Sequence, residues 1–451
     1  MPGPSRSSRL LWPWLLIFTA VGLVIRIASV LGRPHRAPGG DPYAYYWGAR
    51  LLVAGHGFIN PFDYNYHHQV VQSAAFAPLY TLLLAGPMVV GLKTYFIARL
   101  WTGIVSSAAI AVVGLAGREI GGRRVGLIAA LLTAVYPNIW MPDEIGAAES
   151  LVPLLVGALL LFAYRFWKQP DARRAVWFGL AMGALILERD ELVLLVLFLL
   201  LPLVLLARLA WRARVRLLLI AGVVAGLVLA PWVSFNMVRF HHATFISNEA
   251  GLTMASADCN ATFSGPLEGY WDMQCSIEAP VKWHGDESDE NAAYRKYVMS
   301  YLSHHESRLI PVTLAKIGRG FGFFHPLQQI NLDSYVETRP HGWALTGLFG
   351  YYALLALTIG GSVILRLRRI PIFPMWVIGL NVVIAMAVAF GNTRYRIPFE
   401  VPLVIMGSVA LDWVWKRARG RPAADSRAAE SPAGDGPQEI HIGHPAPLST
   451  R

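Results

Sequence analysis

The chain has 451 residues, 55% of them hydrophobic and 15% charged, with 39 Lys and Arg against 28 Asp and Glu. A soluble domain carries about 25% charge, so this balance, with a mean hydropathy of +0.45, excludes an ordinary soluble enzyme and points to a polytopic all-α membrane protein. The net charge of +11 does not indicate a nucleic-acid partner, because the basic residues fall in short clusters between apolar runs rather than on one solvated face interleaved with aromatics.

The first apolar run, Leu11 to Leu31, follows Arg6 and Arg9. It is long enough to cross a bilayer and no small-residue cleavage site follows it, so it reads as an uncleaved anchor with its N-terminus inside. Arg26, near the outer end, either faces the bundle interior or snorkels to the outer headgroups. Residues 33–94 then form the first outer region, a polar and aromatic loop followed by the apolar stretch 76–92. Treating that stretch as a full span would leave Arg118, Arg123 and Arg124 outside, against the positive-inside rule. It is therefore expected to be a short helix dipped into the outer leaflet, with 95–117 crossing inward.

The loop opens on Pro38-Gly-Gly-Asp41-Pro-Tyr43-Ala-Tyr45-Tyr46. Pliable backbone at Gly39 and Gly40 and a stiff residue at Pro42 can hold one carboxylate in a set place, which makes Asp41 the candidate catalytic base. His67 and His68 are adjacent, point to opposite sides of an extended chain, and chelate a metal poorly by themselves.

Residues 125–141 run outward and 150–165 return to Arg165, Lys168, Arg173 and Arg174. Spans follow at 175–187, 192–207 (ending at Arg208, Arg212, Arg214 and Arg216) and 217–238. Residues 239–340 are one large polar outer insertion, whose second half, near 291–324, has helical apolar periodicity. Its two cysteines, Cys259 and Cys275, are expected to pair as a disulfide, the alternative being two free thiols. Trp271, with Tyr270 and Asp272, is either a sugar-stacking platform or part of the core of this disulfide-tied subdomain. Spans at 342–365, 371–390 and 397–415 complete a bundle of about ten transmembrane helices. The organisation is a membrane module at 1–238, an outer subdomain at 239–340, C-terminal helices at 341–417 and a disordered cytoplasmic tail at 418–451. Both termini lie inside.

Under this topology Asp41, Glu149, Glu188 to Glu191, and Arg394 with Arg396 all reach the outer side. Any one of them could be an interfacial anchor; together they suit a lipid phosphate. Guanidinium groups offer forked donors to phosphate oxygens, and a carboxylate can take a proton from an incoming hydroxyl. The other functional class in play is a transporter or flippase of a lipid-linked envelope precursor. Such proteins usually show paired repeats and mid-membrane charges, and no two halves of this sequence resemble each other.

The set of short motifs resembles the GT-C glycosyltransferase superfamily, in the bacterial branch similar to protein O-mannosyltransferases and the aminoarabinose transferase of lipid A. The carrying residues are Asp41-Pro-Tyr-Ala-Tyr45, Ala77-Pro78-Leu79-Tyr80, Gly122-Arg-Arg124, Tyr136-Pro137, Ala148-Glu149, Leu187-Glu188-Arg189-Asp190 and Thr393-Arg394-Tyr395-Arg396-Ile-Pro398. The resemblance implies a GT-C-like bundle with outer juxtamembrane helices. It also implies an inverting transferase in the plasma membrane, taking a sugar from a polyprenyl-phosphate donor to an acceptor of the envelope (protein, glycan or glycolipid). By position Asp41 matches the catalytic acid and Glu149 an acid that binds donor or metal. Arg189, Arg394 and Arg396 match positions near the donor phosphate, with Tyr45 and Tyr395 of the same motifs as substrate contacts. The sequence departs at Ala77, where the family often has a second proline, and at Pro42, where a second acid often stands. The latter leaves the need for a divalent metal open.

Overall fold

The computed structural model describes residues 11–420. Arg6, Arg9 and the tail from 421 onward, expected to be disordered, lie outside the described residues. The chain divides into two compact units, Met1–Asp412 and Trp413–Arg451. In the second, the Arg417 guanidinium lies 5.3 Å from the Trp413 ring and that of Arg419 4.2 Å from Trp415; all that follows concerns the first.

Among the described residues there is no strand, only an isolated antiparallel bridge between Ile59 and Gln72. Among the described residues, seven helices are long and apolar enough to cross a membrane: Leu11–Leu31, Tyr95–Gly121, Arg123–Ile145, Ala148–Lys168, Trp211–Arg239, His341–Leu367 and Thr393–Ala418. The protein is thus an all-α integral membrane protein. The three other expected spans take a different form. Residues 175–187 fall on the 17-residue helix Ala172–Glu188, and 371–390 on the 16-residue helix Phe373–Val388. The run 192–207 is broken into a 3₁₀ turn Asp190–Leu194, a π turn Val196–Leu200 and a short helix Leu201–Leu205. Hydropathy reads apolar length but not helical regularity; here Arg189 is extended (φ −142°) and interrupts the helix before the apolar run begins.

The stretch after the first loop forms the helix Pro78–Val89, started by a proline in its first turn and 12 residues long. At about 1.5 Å per residue it reaches about 18 Å, short of the roughly 30 Å hydrocarbon core. The large insertion folds mainly into the helices Ala250–Ala257, Glu287–His304, Glu306–Gly320 and Pro326–Val336. Glu287–His304 is capped by Asp286, whose carboxylate accepts from the backbone N–H groups of Ser288 and Asp289, and it buries Tyr294 and Val298 against Ala255. Cys259 and Cys275 are joined in a disulfide.

The last long helix is the centre of the unit. Residues 397–410 are buried on every face, as expected of a helix surrounded by others. Leu11–Leu31 and Trp211–Arg239 bury only one side. One close approach sets how the Ala172–Glu188 helix meets its neighbour: a Cβ on Gly179 would lie 2.4 Å from the carbonyl oxygen of Ala221. Only a residue without a side chain lets these two backbones touch, the small-residue contact common between membrane helices.

Candidate active site

Asp41 is the first residue of the helix Asp41–Val53. Its entry depends on Gly40, which takes φ +57°, a left-handed conformation that L side chains rarely adopt, with Pro42 in the first turn behind it. Tyr45, one turn on, packs against Phe76 and edge-on against Tyr80 at 5.2 Å. The Tyr80 hydroxyl is bonded to Thr102 Oγ1 at 3.1 Å, so the short helix and the next span hold the loop from below.

Arg394 meets Asp41 from 353 residues away, its Nη1 donating to Asp41 Oδ2 at 2.5 Å. Arg394 belongs to the 3₁₀ turn Thr393–Arg396, where the Asn392 side chain accepts from its backbone N–H. Thr393 Oγ1 donates to Asp333 at 2.6 Å and accepts from Arg339 at 2.8 Å, and Asn392 donates to Glu337 at 2.6 Å. The turn is thereby tied to the segment just before the His341–Leu367 helix.

A second pair lies alongside. Glu149 stands in the 3₁₀ turn Ala148–Ser150 and Arg189 at the break after Glu188, and they meet at 3.0 Å. Arg189 also binds Glu191 at 2.7 Å, while Arg394 Nε approaches Glu149 at 3.9 Å. Both guanidinium groups sit 5.7 Å from the Tyr395 ring centroid. Each charged group thus stands at the end of an apolar helix, where a charge costs less than at mid-membrane.

Around these pairs is a cavity of about 430 Å³, lined by seven carboxylates and four guanidinium groups together with an apolar flank that includes Val193, Leu194, Ile384 and Val388. Asp41, Tyr45, Glu149, Arg189, Arg394 and Tyr395 all line it. Arg396 does not. Its guanidinium is buried in the interior, paired to Glu400 at 2.7 Å, donating to the Gly320 carbonyl at 3.0 Å and lying 3.6 Å from the Tyr351 ring. The tight turn sends the side chains of Arg394 and Arg396 to different places, so Arg396 anchors the turn instead of facing a ligand.

Four charged lining residues were not anticipated: Arg36, Glu249, Glu337 and Arg339. Glu337-Thr-Arg339 directly precedes a long apolar helix, the same placement as the other charged clusters, and that pattern was the available signal. The part-buried Glu249 carboxyl is held well above the usual carboxylate range by burial, with the charges of Asp41, Glu287 and Asp190 adding to it. Burial likewise raises Glu191, against the opposing pull of Arg189. Trp271 reaches the same cavity and packs on Phe390 at 5.7 Å, so the disulfide-tied segment supplies part of its wall.

The residues do not form an open metal cradle. Asp41 is held by Arg394 and Glu149 by Arg189, so a cation there would have to displace a guanidinium group. Among the described residues, the one cluster with metal-ligand spacing is His241, Asp286 and Asp289; none of the three lines the cavity.

No protein-family model matches the chain, and no curated protein sequence does. Its fold is nonetheless similar to that of solved archaeal oligosaccharyltransferase structures. An oligosaccharyltransferase of Archaeoglobus fulgidus in the apo form superposes with a TM-score of 0.55 at 14% identity, covering 90% of this chain and 51% of that one. The archaeal oligosaccharyltransferase AglB from the same organism, in complex with an inhibitory peptide and a dolichol-phosphate, gives 0.55 at 14% identity over 92% and 52%. A complex of the Archaeoglobus enzyme with zinc and sulfate gives 0.55 at 17% identity over 90% and 50%. At these identities the likeness is one of fold, and the chain spans about half the length of those proteins.

Proposed function

We propose that this protein is an inverting glycosyltransferase of the plasma membrane. It moves a hexose or pentose from a polyprenyl-phosphate donor to an envelope acceptor on the outer face, with both chain termini in the cytoplasm. The observation that carries the reading is the meeting of Asp41 with Arg394, beside the Glu149–Arg189 pair, in one cavity that also has an apolar flank. That combination suits a ligand with a phosphate head and an isoprenoid tail. The fold shared with a protein solved with dolichol-phosphate supports it further.

In the reaction, Asp41 takes the proton of the acceptor hydroxyl while the oxygen of that hydroxyl attacks the anomeric carbon of the sugar. The carbon–oxygen bond to phosphate breaks, and the polyprenyl phosphate leaves with its electron pair and its charge. Arg394 and Arg189 stabilise that charge as it develops. Arg394 Nε has no hydrogen-bond partner among the described residues and lies 3.9 Å from Glu149. As phosphate draws Arg394 toward itself, the Asp41 carboxylate is released from that pair and can meet the acceptor hydroxyl. No step is routed through a metal.

The test is sugar release from radiolabelled polyprenyl-phosphate sugars by protein in nanodiscs, wild type beside Asp41→Asn. The variant should bind polyprenyl phosphate and lose turnover by about 10²-fold or more. Normal turnover in Asp41→Asn removes Asp41 from the mechanism.

A further inference from the structure

Glu188 is the last residue of the Ala172–Glu188 helix and forms part of the cavity wall. It is 1% exposed. Neither of its carboxyl oxygens has a hydrogen-bond partner among the described residues. Five of the six other cavity acids are bonded, Asp41 to Arg394, Glu149 and Glu191 to Arg189, Asp190 to Ser247, and Glu337 to Asn392 and Arg339; the sixth, Glu249, is only part-buried, whereas Glu188 is enclosed. Removing a carboxyl group from water without giving it a hydrogen bond costs several kcal/mol, on the order of the penalties seen for buried unpaired polar groups. A fold rarely keeps that arrangement where an apolar residue would serve, and binding sites are where it recurs.

The chemistry of the missing partner follows from the atoms. The two oxygens of one planar carboxyl group are matched by two neighbouring hydroxyl groups, the pattern a vicinal diol presents. Nearby, Tyr45 lines the same cavity, and Trp271 offers an aromatic wall. Resting on the donor class proposed above, we propose that Glu188 recognises the transferred sugar by hydrogen bonding to a vicinal pair of its hydroxyl groups. The phosphate is left to Arg394 and Arg189. The site then divides into a guanidinium part that reads the carrier and a carboxyl part that reads the sugar.

The experiment measures binding of a short-chain polyprenyl phosphate, free and carrying mannose, glucose or arabinose, to wild type and Glu188→Gln in nanodiscs. Wild type should bind at least one glycosylated lipid more tightly than the free phosphate, and Glu188→Gln should cut that advantage about tenfold or more. Affinity for the free phosphate should stay within about twofold, since the guanidinium groups are untouched, and this also reports that the variant is folded. On the ligand side, the preferred lipid lacking one hydroxyl of the diol should bind more weakly to wild type but no more weakly to Glu188→Gln. The proposal is overturned if the sugar-dependent advantage survives in Glu188→Gln, or if wild type shows none for any of the three sugars. If wild type fails to bind even free polyprenyl phosphate, the donor class falls as well, a separate outcome.

Discussion

Replacing Arg394 with alanine tests the whole arrangement. The guanidinium bonds Asp41 at 2.5 Å, lies 3.9 Å from Glu149, and has a side chain 22% exposed. A hydrogen bond to a charged group contributes about 1.5–3 kcal/mol, which corresponds to about 10- to 150-fold in affinity. Two unit charges about 4 Å apart at an effective dielectric of about 20 would interact by about 4 kcal/mol, so the hydrogen-bond figure is the more cautious choice. Arg394→Ala should therefore weaken polyprenyl phosphate binding by about 10- to 100-fold and lower turnover too, because a phosphate contact exists in both ground and transition states. Arg394→Lys keeps the charge but loses the fork and should recover only part of the loss. The assay is titration of polyprenyl phosphate, bare and glycosylated, against nanodisc-embedded protein, with turnover measured alongside. Unchanged donor affinity, or an effect confined to the acceptor, would refute the placement of the phosphate at Arg394.

The neighbouring arginine gives an opposite expectation. Glu400 is fully buried and accepts from Arg396, Tyr136 and Asn138. Glu400→Gln leaves a buried guanidinium without its counter-charge and should cost about 3–5 kcal/mol, read as a large fall in thermal stability in detergent, with donor affinity of the folded fraction little changed. A pH effect is expected in the large insertion, where Glu290 is pushed up to about 7 by burial and by the charges of Glu287 and Asp63. A carboxyl whose folded pKa is raised binds its proton more tightly when folded, so stability is greatest at low pH and declines as pH rises from the ordinary glutamate range to about 7. Protection factors of the Glu287–His304 helix, which divide out the intrinsic pH dependence of exchange, should fall over that window in wild type and lose this dependence in Glu290→Gln. Exchange independent of pH-linked protonation in both proteins would remove Glu290 from that role.

Several parts of this protein were legible in the chain because they depend on neighbours along it. Apolar runs of sufficient length must bury themselves in lipid, basic clusters mark the loops between them, and a glycine pair before Asp41 with a proline after it makes a turn wherever it is placed. The proline-led helix Pro78–Val89 is 12 residues long, shorter than a full span. What sequence could not resolve was which side chains face the cavity. Arg394 and Arg396 are two residues apart and alike in every local respect, yet one meets Asp41 and the other is enclosed by Glu400 and Tyr351. A 3₁₀ turn tied down by Asn392, Thr393 and Asp333 decides between them. Glu249, Glu337 and Arg339 come to the same cavity from the large insertion, where no periodicity marks them. Hydropathy and turn chemistry act over a few residues and so can be read in order; the direction of a charged side chain is chosen by the partner that lowers its desolvation cost, and that partner can lie hundreds of residues away.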